Sequence, residues 1–413
     1  MESLPLQPFL QSLHKEQWQE VRLGEVAEIV NGYAFKSKEF LNIQQRDSLP
    51  IIKIKNVANG DVNLNDVVFY PYSKQLEKFL IKYGDILVSL TGNHPQAQSQ
   101  VVGQISKYKY KQFALLNQRV AKIVTKDAEQ DFLYYLLKTN KIHNILASHS
   151  SGSANQANIS SKDIENLTIP LPPLTIQQKI AEILSSFDDK IDLLHRQNKT
   201  LESLALTLFR HYFIDNPNRS EWEEVSLNSL CEITSSKRIF YSEYVEYGIP
   251  FYRSKEIIEF SKGNNPQNEL FIDENKYNDI ANKFGVPQAN DILLTSVGTL
   301  GIPYLVPKDK KFYFKDGNLT WFKNFKNITS LFLFYWFKSP QGKEKLDSIA
   351  IGSTQQALTI AALKAVNIHL PHTDIIRILN EQLNGIQNKI ENNTKQIQNL
   401  QAMRDMLLKA IFA

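Results

Sequence analysis

LPPLTIQQKIAEIL, residues 171–184, returns 199 positions later as LPHTDIIRILNEQL, residues 370–383. The offset continues without a gap: Lys190 meets Lys389, Ile191 meets Ile390, Leu201 meets Leu400, Leu208 meets Leu407 and Phe213 meets Phe412. A match of this length at one fixed offset marks an internal duplication. In the first copy Ile176, Ile180, Ile183, Phe187, Ile191, Leu194, Asn198, Leu201, Ala205 and Leu208 recur by threes and fours, with one extra four-residue step around Phe187. That is a heptad seam with a stutter. The second copy places Ile375, Leu379, Ile386, Ile390, Ile397, Leu400 and Leu407 in the corresponding positions, interrupted by Gln382, Asn393 and Arg404. Pro170, Pro172, Pro173 and Pro371 fall at the entrances, where a missing N–H costs nothing. The pattern predicts two helical segments, 171–214 and 371–413, within each of which the seam runs about 39 residues or about 58 Å.

Each helix could pack on its own globule or against the other helix. A seam of this length outreaches a domain of ordinary size, which favours helices zipped together. The first helix leads out of one globule toward the next, so only an antiparallel return lets the second share its full length. The expected molecule has a globule at each end of a rod, an approximate two-fold axis across its middle, and the chain's end beside the first globule. Asn198 and Asn393 are then either polar seam positions that fix register or solvated edge positions.

The flanking segments are duplicated too. WQEVRLGEVAEIVNGYAF from Trp18 matches WEEVSLNSLCEITSSKRIF from Trp222, and YGDILVSLTG (83–92) matches ANDILLTSVG (289–298). The latter pair are polar turns into apolar runs that read as buried strands. LPIIKIKNV (49–57) alternates as a strand would, and IPFYRSKEI (249–257) stands in its place. The aromatic stretches 131–146 and 331–346 read as helices, and the polar loops SHSSGSANQANIS and IGSTQQALT follow them. The fold class is therefore α+β: two similar globules, 1–170 and 215–370, of roughly 150 residues each.

Composition narrows the function classes. With 413 residues, 42% hydrophobic and 11% aromatic, the chain has material for two or three cored domains. A net charge of +4 permits nucleic-acid binding without announcing it. Residues 1–17 lack the pattern of a secretory leader and LFLFYWF from Leu331 is too short to span a bilayer, so a cytoplasmic protein is expected. The lone Cys231 excludes an internal disulfide and a cysteine zinc cluster; it reads as a small core residue, with a nucleophile as the remote alternative.

Catalytic signatures are absent from the sequence: no phosphate loop, no strand-borne GxGxxG, no HExxH, and no Asn/Asp-Pro-Pro-aromatic motif. Glu274-Asn275-Lys276 lies in the polar stretch FIDENKYND, read as a turn, and has no counterpart in the first half. His94, His143, His195 and His211 show no metal-ligand spacing. The chain reads as one that performs no chemistry of its own.

A duplicated, catalytically silent pair of globules on a fixed spacer suits duplex DNA, whose sites repeat on one face with the helical turn. Asn and Gln pair with adenine, Arg and Lys with guanine or phosphate. In the first globule the candidate contacts are Lys36, Lys38, Lys53, Lys55, Asn56, Asn93, Gln96, Gln98, Arg119 and Gln156. In the second they are Lys237, Arg238, Arg253, Lys255, Lys315, Asn318, Gln355 and Gln356. Any one alone is ordinary surface polarity; recurrence in equivalent places of both halves favours a shared role. A coiled-coil adaptor whose globules bind protein is the alternative, and an enzyme with an unrecognised site is a third.

The order of globule, LPPLxxQxxIAxIL helix, globule and second helical copy, with GDIL or NDIL strands and GSxxQ-like loops, resembles the specificity subunit of type I restriction-modification systems. LPPLTIQQKIAEIL is the most specific piece, followed by FDDKIDLL and Tyr83-Gly84-Asp85-Ile86-Leu87. The second copy departs in LPHTDIIRILNEQL and in Asn290 before Asp291. The resemblance implies two target-recognition domains on double-stranded DNA, separated by an antiparallel coiled coil. It also implies two methyltransferase subunits carrying S-adenosylmethionine and restriction/translocase subunits using ATP and Mg, with no cofactor on this chain and no membrane. Two docked copies are also what a pseudo-two-fold scaffold would offer.

Overall fold

The computed structural model describes residues 6–57, 60–92, 101–150, 157–264, 266, 269–308, 310–353 and 355–413. The chain packs as two units, Met1–Asp189 with Ala402–Ala413, and Lys190–Gln401. Each contains one mixed globule. In the first, an antiparallel sheet runs in the order Ala27–Asn31, Val120–Thr125, Ile86–Ser89, Ile105–Lys107. In the second, the same order is kept by Glu232–Thr234, Leu319–Lys323, Ile292–Thr295 and Pro303–Leu305. A further sheet in each holds one parallel pair: Ser48–Ile52 with Ala114–Leu116, and Ile249–Tyr252 with Tyr313–Phe314.

The duplicated sequence marks coincide with duplicated geometry. Opening strand Gln19–Arg22 pairs antiparallel with Thr168–Leu171, and Glu223–Ser226 with Asn367–Leu370, so each globule closes on the strand that feeds its long helix. Gly84 and Asn290 both have positive φ, +90° and +69°. Asparagine is among the few residues besides glycine that tolerate this region, which accounts for the substitution. The next residue closes each turn: Asp85 accepts from the Lys82 amide at 2.9 Å and Asp291 from the Gln288 amide at 2.8 Å.

Three sequence expectations are corrected. Strand character in 49–57 ends at Ile52, and Ile54–Val57 is a helical turn because the Asn56 side chain accepts from the Lys53 amide at 3.0 Å. Ser254–Ser261 is likewise helical after the strand Ile249–Tyr252. Each aromatic stretch is two helices, Gln130–Leu137 with Asn140–Ser148 and Ser330–Lys338 with Pro340–Ile349. In the second copy Ser339 caps the new helix and Pro340 supplies its first turn. FIDENKYND is no turn: Asp273 caps the helix Glu274–Phe284, and Glu274 and Lys276 go to different partners, Lys311 and Glu243.

The first long helix is Leu174–Phe209, continued by a π-helical turn, Arg210–Ile214; the second is Thr373–Phe412. At the first entrance the buried Gln177 donates to Pro172 O at 2.8 Å and accepts from the Glu129 amide at 2.8 Å, fastening the helix to its globule. At the second, the buried Ile376 stands in its place and joins the apolar core instead.

The two helices pair antiparallel. Within the second unit Ile191 and Leu194 pack on Ile397 and Leu400. Further along, Asn393 donates to Asn198 at 2.9 Å, and Tyr212 meets Gln382 at 3.3 Å. As numbers rise on one helix they fall on the other. Asn393 is fully buried, so the Asn pair belongs to the seam. Ile180, Phe187, Leu379 and Leu407 are also buried, while Leu201, Leu208, Ile386 and Ile390 are half-buried.

Helix ends also pack on globules. Phe213 stacks on Trp222, ring centroids 5.6 Å apart, and meets Phe332 edge-on at 5.0 Å. In the first unit its repeat-mate Phe412 meets Trp18 at 6.5 Å and Phe132 at 5.8 Å. The aromatic helices reach the seam by equivalent tyrosines: Tyr135 donates to Asp188 at 2.9 Å and Tyr335 to Gln387 at 3.3 Å. Asp188 also receives Arg404 at 2.7 Å, whose guanidinium is desolvated by burial yet held more firmly protonated by Asp188.

Arg404→Ala is expected to destabilise the first unit by about 2 kcal/mol, reduced from a fully buried pair because the guanidinium keeps some solvent contact. Urea unfolding of the variant, compared with Arg404→Lys, which keeps a positive charge beside Asp188, measures it; equal losses in both variants would refute a clamp that depends on that charge. Asp61 supplies a second expectation. Burial opposes its charge, but Lys138 and Lys109 with the Tyr134 hydroxyl hold its carboxyl well below the usual 3.8. Its stabilisation is complete above that value and is lost as pH falls through the lower folded one. Melting curves of the wild type and Asp61→Asn should therefore differ at neutral pH and converge in acid.

Candidate nucleic-acid interface

Gly32 ends the strand Ala27–Asn31 with a close backbone crossing: an added Cβ would lie 2.1 Å from Asn117 O. The crossing lets Tyr33 donate to Leu116 O at 2.8 Å and accept from the Gln118 amide at 2.9 Å. The Asn117 amide meanwhile donates to Ile52 O at 3.2 Å, and Leu90 donates to Arg119 O at 3.0 Å. Thr91–Gly92 then pairs with Ala157–Asn158. Five chain segments thus converge, bringing Tyr33, Lys53, Arg119 and Asn158 to one region of the first globule. Asn93, Gln96, Gln98 and Gln156 border it in sequence and lie outside the described residues.

Availability differs among the first-globule candidates. Lys36, Lys38 and Arg119 are exposed, beside the exposed Tyr33 and half-buried Phe35. Lys53 lies over the Phe40 ring at 4.2 Å, and burial followed by repulsion from Lys55 lowers its pKa. Lys55 donates to Asp66 O at 2.7 Å. Asn56 is buried; besides capping the Lys53 amide it donates to Asn63 O and Asn65 O, each at 3.1 Å. With its amide spent on its own backbone it has nothing to offer a base, and its expected contact role is withdrawn.

The second globule gathers the equivalent segments. The Lys237 amide donates to the Tyr313 hydroxyl at 2.6 Å, and Arg238 pairs with Asp316 at 2.9 Å. Lys315 donates through its amide to Tyr252 O at 2.8 Å; Asn318 O accepts from the Ser254 hydroxyl and the Ser296 amide. Gly298 donates to Gln356 O at 3.3 Å, as Thr91–Gly92 pairs with Ala157–Asn158 in the first copy. Lys237, Arg238, Lys255, Gln355 and Gln356 are exposed; Lys315 and Asn318 are half-buried. Arg253 is different: it grips the fully buried Glu256 at 2.6 Å, which raises its pKa and makes it a structural partner of that carboxylate.

Sequence reasoning passed over the aromatic residues beside these cations. Phe240, Tyr241 and Tyr247 are exposed, Tyr241 by 87%, next to Lys237 and Arg238. The signal was legible in KRIFYSEYVEY, where aromatic residues interleave with charge. Among the described residues there is no His/Cys/Asp/Glu grouping able to hold a metal ion. Cys231 is buried, its thiol pushed up to about 12 by burial, so it stays protonated. No described helix is long and apolar enough to cross a membrane.

The family model described as "Type I restriction modification DNA specificity domain" matches residues 15–203 and again 219–402, one copy for each half of the duplication. The chain belongs to this family. It is 27% identical over 439 residues to the EcoBI specificity subunit of Escherichia coli, covering 98% of this chain and 86% of that one. To the MjaVIII specificity subunit of Methanocaldococcus jannaschii it is 25% identical, covering 96% and 92%. The crystal structure of the S subunit of a type I restriction-modification system from M. genitalium superimposes with a TM-score of 0.57 at 17% identity, covering 96% of both chains, and so shares the fold. This DNA-specificity chain carries two recognition-type globules and an antiparallel helix pair.

Removing Arg253 would leave Glu256 as a buried carboxylate without its partner. Arg253→Gln should lower stability by about 2 kcal/mol, while Lys38→Gln and Lys237→Gln, both exposed, should change it by less than about 0.5 kcal/mol. Thermal unfolding of the three variants decides it; equal losses would place all three lysine and arginine side chains in structural roles.

Proposed function

We propose that each globule reads one half of a split double-stranded DNA sequence through the exposed members of its convergent loops. The carrying observation is the repetition of that convergence: Tyr33, Lys53, Arg119 and Asn158 in the first copy, and Lys237, Arg253, Asn318 and Gln356 in the second, on segments joined by backbone hydrogen bonds and, at Lys237, by the Tyr313 hydroxyl. Lysines and arginines supply phosphate contact, and the exposed Gln355 and Gln356 supply amides able to pair with adenine. The helix pair sets the gap between the half-sequences and offers its duplicated surface to two methyltransferase subunits, with restriction/translocase subunits joining them.

In this reading the complex works in the cytoplasm. S-adenosylmethionine, ATP and Mg act on the partner subunits, and this chain supplies recognition. The base to be methylated must leave the stack before the partner can reach it. The names of the relatives, each a specificity subunit of a type I restriction enzyme, support the assignment. So does the seam, because a paired helix resists the bending that would blur a fixed spacing.

Duplex binding should weaken steeply with salt, and Lys36→Gln with Lys38→Gln should reduce the slope by about 2 in log–log form, at about 0.9 per phosphate contact. A salt-independent affinity, or no affinity with the methyltransferase present, would instead support a protein-binding adaptor. Four residues, about one helical turn, inserted into both long helices should widen the unspecified gap and leave both half-sequences unchanged. Methylation mapping reads both quantities, and a changed half-sequence with an unchanged gap would defeat the spacer role.

A further inference from the structure

The second unit holds an open-mouthed cavity of about 590 Å3 between its two helical segments and its globule, within the range of small-ligand pockets. No candidate DNA contact lines it. Its cations are Lys199, Lys262, Lys308, Lys310, Lys338 and Lys395, against the carboxylates Glu202 and Glu391. Glu202 is already paired with Lys338 at 2.8 Å, and Lys262 with Glu259 at 2.9 Å. The walls also present the Phe260, Tyr304 and Phe334 rings.

Lys310 is the distinctive member. Its ammonium lies 3.3 Å from the centroid of the Phe260 ring and 5.0 Å from that of Tyr252, with the Tyr304 hydroxyl at 3.3 Å. Burial lowers its pKa to about 8, partly offset by Glu269. Both tyrosines are pushed well above their ordinary range, first of all by burial, and stay neutral. Lys310 makes no ion pair among the described residues and Glu269 acts on it only at longer range, so the ammonium remains able to receive an anion.

We propose that this cavity binds a nucleoside phosphate, its base against the aromatic wall and its phosphate at Lys310 and Lys199. Inorganic phosphate alone would leave most of the space unused, whereas a neutral nucleoside would leave Lys310 uncompensated. The site is separate from DNA recognition and does not depend on it. Binding of the anion stabilises protonated Lys310, so affinity is greatest below pH 8 and falls as pH rises above it. His195 lines the same cavity, so the variant rather than the pH profile alone isolates the lysine.

Calorimetric titration of the full chain with AMP, adenosine and ribose 5-phosphate tests this. AMP should bind at least about tenfold more tightly than either fragment, and Lys310→Met should lose about tenfold in AMP affinity. Near pH 8, titrations in buffers of different ionisation enthalpy should show proton uptake that Lys310→Met abolishes. Lys199→Met, on the exposed face of the first long helix, should weaken AMP as well and covers the case in which the Lys310 variant does not fold. Unchanged AMP affinity in Lys199→Met, no heat with any of the three compounds, or displacement of AMP by random duplex would overturn the proposal. Duplex affinity measured on the same preparations should be unaltered by Lys310→Met, which keeps this outcome distinct from failure of DNA recognition.

Discussion

The seam between the two long helices is built from very little apolar material at its middle: Ile191 and Leu194 from one side, Ile397 and Leu400 from the other. Directly beyond them the seam turns polar, with Asn393 bonded to Asn198 and, at 3.4 Å, to Gln197, while Asn198 donates to Thr394 at 3.3 Å. An apolar seam alone tolerates sliding by a heptad, because one leucine fits the next hole nearly as well. A buried amide does not, since any slip leaves it unpaired at a cost of about 1–3 kcal/mol. Asn393 is fully buried and its side-chain oxygen finds no protein donor, so the layer is a net sacrifice of stability in exchange for a single register.

Outside the middle, the helices are held by the globules as well as by each other. Phe209, Phe213 and Ala205 of the first helical segment share one core with Ile376, Leu379 and Leu383 of the second and with the aromatic helix Ser330–Lys338. In the first unit Phe412 fills the equivalent slot against Trp18 and Phe132. Burying a side chain of this size contributes about 1.5–3 kcal/mol, so the slots are strong anchors. The two copies differ in how they finish the job. Tyr135, Asp188 and Arg404 form a charged network, whereas the matching positions hold Tyr335, Gln387 and Ala205, leaving a single neutral hydrogen bond.

The recognition-type loops share a backbone frame, to which side chains such as Asn56 in the first copy and Tyr313 and Ser254 in the second add contacts. Strand ends and loops at Tyr33, Asn117 and Leu90 are joined through amides and carbonyls, and the second copy repeats this at Tyr252, Asn318 and Gly298. Such a frame leaves the projecting side chains free to differ between copies. Lysines and a tyrosine project from one, and a run of exposed aromatic residues with glutamines from the other. In the proposed function, that division between fixed backbone and variable side chain lets one scaffold carry two different readers.

The sequence by itself determined the duplication, the helix entrances and the α+β class, because fixed-offset identity and three-four spacing are one-dimensional properties of the chain; it favoured antiparallel pairing, which the contacts between the helices decided. It also located the turn at Asn290, where a glycine-like backbone requirement is written in the residue type. Tertiary structure decided which residues inside those patterns do what. Lys53 and Arg253 occupy matching places, yet one lies over Phe40 and the other is committed to Glu256. Asn56, attractive as a base contact on paper, is consumed by its own turn. The lysine-lined cavity draws on residues from 195 to 398 that share no motif. Each of those outcomes depends on long-range neighbours, and periodicity carries no information about which distant side chain will arrive beside a given one.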